Sequence, residues 1–280
     1  MSSHMSVWMK QHPLAIYFIL ANVISWIIWT PLVLSSLGIR DVPVLPYHHF
    51  FGALGPILAA IMVTGISSGK TSLRELLGRI VRWRVGIKWH LIALFGPVAL
   101  FAIAAVAVRV RGDAWADFSQ FGLAEEFPQF GLIAIWIFYT LTFGLGEEAG
   151  WRGYALPRLQ KSRSGLSATL ILSALWALWH LPMFWYRPGY ANMNTGGIIG
   201  WFFSLVTGAV LLTWLYNSSK GSILVVILFH GSVDVAFTTR IAQGDIVNIM
   251  GMLIMVWAII VVIVTGPANL SRSGKHTLQS

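Results

Sequence analysis

Five side chains able to carry or move protons lie in stretches of sequence that otherwise suit hydrocarbon: Glu147, Glu148, His180, His230 and Asp234. Ionisable groups inside a bilayer are costly and default to function. The bland alternative is that they pair only with one another to hold helices together. Spacing sorts them. Glu148 and Arg152 stand four apart, so on a helix that carboxylate is neutralised locally. Glu147 then points about 100° away and is free for other work. His180 follows Trp176 by one helical turn, which sets an aromatic wall beside it. His230 and Asp234 are again four apart and face the same way. Carboxylates and imidazoles offered by three separate helices suit acid–base chemistry on a water, if they meet.

Other chemistries find little support. The chain has no cysteine, which excludes thiol catalysis, disulfides and Cys-type zinc sites. HExxH and Walker A sequences are absent. Ser232 lies close to His230 but has no base geometry, and reads as core packing or a helix hydrogen bond. Gly244-Asp245 reads as a turn. The fourteen tryptophans read as interface anchors and helix packing.

The elements that must position these groups are transmembrane helices. Of 280 residues, 56% are hydrophobic and 10% charged, with a mean hydropathy of +0.72. A soluble protein carries about 25% charged residues, so lipid must cover the excess apolar surface. Eight stretches are long enough to span: about 14–37, 49–67, 89–108, 130–148, 166–186, 197–216, 222–239 and 247–266. The first has no small-residue cleavage site after it and is expected to stay as a span rather than be removed as a signal peptide. Lys70, Arg74, Arg79, Arg82, Arg84 and Lys88 interleave with Leu73, Leu76, Leu77 and Ile80, a pattern that predicts an interfacial helix over 70–88. The polar segment 109–129 reads as a loop with a short helix. The expected fold is therefore all-α, a polytopic membrane helix bundle of about eight transmembrane helices. Met1–Met5 resembles an expression scar, 6–270 reads as one integral-membrane domain with its motif core at about 140–240, and 271–280 as a polar tail.

The net charge is +9. In so apolar a chain this marks topology and contact with anionic lipid, not nucleic acid. With both termini cytoplasmic, one side receives Lys10, the six cations of 70–88, Arg152, Arg158, Lys161, Arg163, Lys220, Arg272 and Lys275. The other side receives Arg40, Arg109, Arg111, Arg187 and Arg240. The positive-inside rule therefore places both termini in the cytoplasm.

The order Glu147-Glu148-x3-Arg152, Trp176-x3-His180 and His230-x3-Asp234 resembles the CPBP membrane proteins, the CAAX proteases and bacteriocin-processing enzymes that include the Ras-converting CAAX endopeptidases. Each motif is weak alone; three in order on three apolar helices are fairly specific. Two departures stand out. The second motif usually opens with Phe and here has Trp176. The third often ends with Asn and here has Asp234, which when ionised cannot donate to an oxyanion and suits orienting a histidine or binding a metal.

The resemblance implies intramembrane hydrolysis of a peptide bond in a membrane-associated peptide or lipidated protein, including prenylated CAAX-type substrates. It implies Glu147 as general base, His180 orienting the water, His230 with Asp234 facing the scissile carbonyl, and Glu148 with Arg152 holding the end of the fourth helix. A metal version stays open beside it: Glu147, His180 and His230 could supply a zinc set, with Asp234 as a further ligand or its support. The metal-free version is favoured because no compact metal motif is present. A multi-pass protein of a prokaryotic cell membrane is favoured over one of the endoplasmic reticulum. A non-proteolytic immunity or scaffold relative, and a transporter or proton relay, are the competing functions. One expectation is geometric: Glu147 ends its predicted span while His180 lies roughly 20 Å into the next. The fourth helix must run on past Glu147, or the fifth must tilt, for these groups to meet.

Overall fold

The computed structural model describes residues 11–39 and 41–278. The segment read as a scar, together with Lys10 and Arg40 of the topology count, lies outside the described residues. The chain is an all-helical membrane bundle. Its principal helices are α1 (Pro13–Ser36), α2 (His48–Ser67), α3 (Gly69–Ile80), α4 (Ile87–Val110), α5 (Leu132–Leu159), α6 (Gly165–Trp179), α7 (Thr195–Ser218), α8 (Ile223–Thr238) and α9 (Asp245–Thr265). Six of them, α1, α2, α4, α5, α7 and α9, are long and apolar enough to cross a membrane.

Each expected span has its helix, but two are short. Helices α6 and α8 have 15 and 16 residues, about 23 Å at 1.5 Å per residue against a hydrocarbon core of about 30 Å. The predicted span 166–186 is broken because Pro182 lacks the N–H that would continue the ladder and disfavours helical backbone at Leu181. Two single helical turns, Met183–Tyr186 and Pro188–Ala191, follow instead.

Helix α8 is apolar on nearly all sides, as a buried helix must be. It packs against α4, α5 and α7 and buries Ile223, Val225, Val226, Ile227 and Phe229. Around it α1 packs on α2, α2 on α5, α6 on α7, and α9 on α4 and α7.

The interfacial helix is shorter than predicted: α3 ends at Ile80, and Lys88 belongs to α4. Arg79 is also not a surface cation. It is 2% exposed and donates to the Tyr216 hydroxyl at 2.8 Å and the Gly153 carbonyl at 2.9 Å. A guanidinium can be buried there because two fixed acceptors match its fork. The segment before α5 contains the expected short helical turn, Phe118–Gln120, capped by the Asp117 side chain on the Ser119 N–H. The polar tail folds back over the ends of α5 and α7. Asn217 accepts from the His276 N–H at 3.0 Å, and Gln160 donates to the His276 carbonyl at 2.9 Å.

Helix α5 runs eleven residues beyond the end expected from hydropathy. Its polar stretch, Gly146 to Arg152, is buried by α1, α2 and α8 rather than delivered to the interface. Arg152, assigned by sequence to the membrane surface, is fully buried.

Candidate active site

Two π-helical segments, Thr140–Gly144 and Trp151–Ala155, flank the α-helical turn Leu145–Gly150 that carries both glutamates. Such π turns recur at functional sites because they displace the backbone register locally. Small residues let the neighbours close in. A Cβ on Gly146 would lie 2.5 Å from the Ala53 carbonyl oxygen of α2, and one on Gly231 of α8 would lie 2.8 Å from the Thr140 Cα. Glycine at these positions brings α2 and α8 onto α5, and that approach seals the carboxylates from lipid.

Glu148 is wholly buried, and its Oε1 accepts two hydrogen bonds. One comes from Arg152 NH1 at 2.9 Å, the pairing expected from sequence. The other comes from His230 Nδ1 on α8 at 2.8 Å. An ionised carboxylate only accepts, so Nδ1 of His230 carries the proton. The Nε2 of His230 then looks toward Asp234, whose Oδ2 is 3.8 Å away, beyond hydrogen-bonding distance. Glu148 thus does more than hold the end of a helix. It joins α5 to α8.

Glu147 points elsewhere, as the 100° offset requires. Its Oε2 accepts the Trp176 indole N–H at 2.7 Å, and the side chain is 3% exposed. Trp176 also spreads its ring over the Arg152 guanidinium, 4.6 Å from ring centre to Cζ, and meets the His230 ring edge-on at 5.9 Å. Its carbonyl oxygen lies 2.7 Å from His180 Nδ1. A carbonyl oxygen only accepts, so Nδ1 of His180 is the protonated nitrogen and Nε2 is left for another partner.

His180 caps α6 rather than lying within a span. The end of α6 is fixed to α1: Trp179 donates to the Ser25 hydroxyl at 2.7 Å, and Trp26 donates to the Trp179 carbonyl at 3.1 Å. With α5 continuing to Leu159, Glu147 lies about 18 Å from that end, close to the depth of His180 in α6. The geometric difficulty is met by the extension of α5 to Leu159.

His180, His230, Asp234 and Trp176 line one cavity of about 270 Å³. Its remaining wall is mostly apolar and includes Leu205, Leu212, Phe229 and Ile254. Tyr190 and Trp201, from the stretch after α6 and the start of α7, pack on His180 at 6.0 and 5.7 Å between ring centres. Sequence reasoning missed both, because nothing in their local pattern separates them from other membrane aromatics. It also read Trp176 only as a wall and missed its hydrogen bond. Ser232 does form a helix–helix bond, accepting from Trp136 Nε1 at 3.0 Å.

Among the described residues no group of three or more His, Asp or Glu side chains is placed to hold a metal ion. Of the four residues named for a metal set, Glu147 bonds the Trp176 indole through Oε2 and His230 bonds Glu148 through Nδ1.

The model of the family described as type II CAAX prenyl endopeptidase Rce1-like matches residues 129–236. That stretch contains all six residues, Glu147, Glu148, Arg152, His180, His230 and Asp234. The matched stretch is similar to the Rce1-like CAAX proteases. The match extends beyond the site: the chain is 24% identical over 226 residues to CAAX prenyl protease 2 of Methanococcus maripaludis, covering 77% of this chain and 80% of that protein. Both similarities support an intramembrane protease, and the buried carboxylates and imidazoles lie within the matching stretch.

Proposed function

We propose that this protease hydrolyses a peptide bond near the C-terminus of prenylated, CAAX-type proteins, with Glu147 as general base and no metal. The observation that carries the reading is that Trp176, which lines a largely apolar cavity with His180, His230 and Asp234, bonds Glu147 and meets the His230 ring that Glu148 holds. An apolar chamber lined by two histidines, with a buried carboxylate bonded to its wall through Trp176, suits a substrate with a greasy chain and one polar bond to cut.

In this reading Glu147 takes a proton from a water as the water oxygen adds to the scissile carbonyl. His180 accepts a hydrogen bond from that water through Nε2 and fixes its direction. His230, protonated on both nitrogens between Glu148 and Asp234, donates through Nε2 to the developing oxyanion. Glu147 then passes its proton to the departing nitrogen as the C–N bond breaks, leaving one carboxylic acid, which keeps the water's second proton, and one amine. Asp234 orients His230 and does not itself donate. Arg152 holds Glu148 in place through their hydrogen bond.

The membrane is a prokaryotic cell membrane in this reading, in keeping with the archaeal relative, and both termini face the cytoplasm. The test is a cleavage assay on purified protein with matched prenylated and unprenylated peptides, products identified by mass spectrometry. Cleavage of the prenylated peptide with at least a tenfold preference supports the assignment. Equal cleavage of both removes the prenyl group from the substrate class, and cleavage of neither removes the CAAX reading.

A further inference from the structure

A second polar cavity, remote from the glutamates, lies between α2, α3 and the end of α5 and holds about 300 Å³. Arg79, Arg158 and Lys161 line it with Glu75 as the one carboxylate, and Thr64 and Ser72 add hydroxyls. Three cations therefore face one anion. Arg79 is nine-tenths or more buried, and its Nε has no hydrogen-bond partner among the described residues; the nearest acid, Glu75, stands 3.9 Å away. Thr64 is 2% exposed, and its Oγ1 is likewise unpartnered. Arg158 is held over the Tyr154 ring at 3.6 Å and donates to the Tyr154 carbonyl at 2.9 Å, which fixes its direction. A cluster with surplus positive charge, a buried guanidinium in Arg79, a ring-held one in Arg158 and spare hydroxyl and N–H groups suits an anion with several acceptor oxygens.

The surroundings point to the source of that anion. Helix α3 and the turn after it expose Leu77, Val81 and Trp83 beside Lys70, Arg74, Arg82 and Arg84. Apolar side chains flanked by cations lie at the headgroup level of a membrane. The cavity sits against the buried face of this helix, where Leu76 and Arg79 point inward.

We infer that this cavity binds the phosphate of an anionic lipid headgroup and ties α3 to the end of α5. The bound headgroup bridges Arg79 and Lys161 and supports the π segment that contains Arg152.

Native mass spectrometry of the full chain, released from detergent with added phosphatidylglycerol or phosphatidylcholine, tests this. The wild type is expected to retain phosphatidylglycerol at least fivefold more than phosphatidylcholine. Lys161→Glu, at an exposed position, and the double variant Arg158→Gln/Lys161→Gln are expected to abolish that preference. Lys88→Gln, a cation outside the cavity, is expected to keep it. A separate arm adds inorganic phosphate at millimolar concentration. Displacement of the lipid by phosphate alone, or equal retention by wild type and Lys161→Glu, overturns the inference.

Discussion

Glu148 and His230, 82 residues apart in the chain, share a hydrogen bond of 2.8 Å between α5 and α8, and the same carboxylate oxygen holds Arg152 at 2.9 Å. The site is thus cross-linked through one buried oxygen. Glu148→Gln removes the negative charge and leaves the Arg152 guanidinium buried without its partner. Breaking a buried pair in this way costs roughly 3–5 kcal/mol. The thermal midpoint in detergent is expected to fall sharply, and activity with it. A variant that melts with the wild type would contradict the bridging role.

Trp176 performs two separable tasks. Trp176→Phe keeps an aromatic face over Arg152 and loses only the N–H that bonds Glu147. A hydrogen bond to a charged group is worth about 1.5–3 kcal/mol, so kcat/KM is expected to fall about 10- to 150-fold. Trp176→Ala loses the wall as well and is expected to fall further. Equal losses in the two variants would assign no weight to the wall.

Close helix approach makes a prediction about stability alone. Gly146→Ala places a methyl group 2.5 Å from the Ala53 carbonyl oxygen, where backbone must yield. Overpacking of this kind costs typically 1–3 kcal/mol. A lowered thermal midpoint is expected, whereas Gly65→Ala, with open space at its Cβ, is expected to leave it unchanged.

Metal removal separates the two chemistries considered for the site. Purified protein treated exhaustively with a strong chelator is expected to keep its activity within about twofold of the untreated rate. Loss of activity that zinc restores, with zinc bound at one ion per chain, would replace the glutamate-base reading with a metal one.

Much of the architecture was legible because hydropathy reports on solvent directly: each of the eight apolar stretches has its helix. The local pair Glu148–Arg152 was legible too, since i,i+4 spacing on a helix is a local rule. The bond from Glu148 to His230 was not, because pairing between helices depends on their packing and leaves no mark in local pattern. The length of α5 was misread for a related reason. A run of charged and small residues looks like an exit from the membrane, but here protein rather than water satisfies it. Arg79 was misread as an interfacial cation because its partners, Tyr216 and the Gly153 carbonyl, come from distant helices. The break at Pro182 was visible in the sequence, and the apolar residues after it masked the end of α6.

The most direct test is the single-turnover cleavage rate of Glu147→Gln on the substrate that the wild type cleaves, with thermal midpoint and substrate binding measured in parallel. Glutamine keeps the shape and can still accept the Trp176 indole N–H, but it cannot take a proton. A fall of about 10²- to 10⁴-fold with folding and binding unchanged is the expected result. A variant that cleaves within tenfold of the wild-type rate would show that Glu147 is not the base.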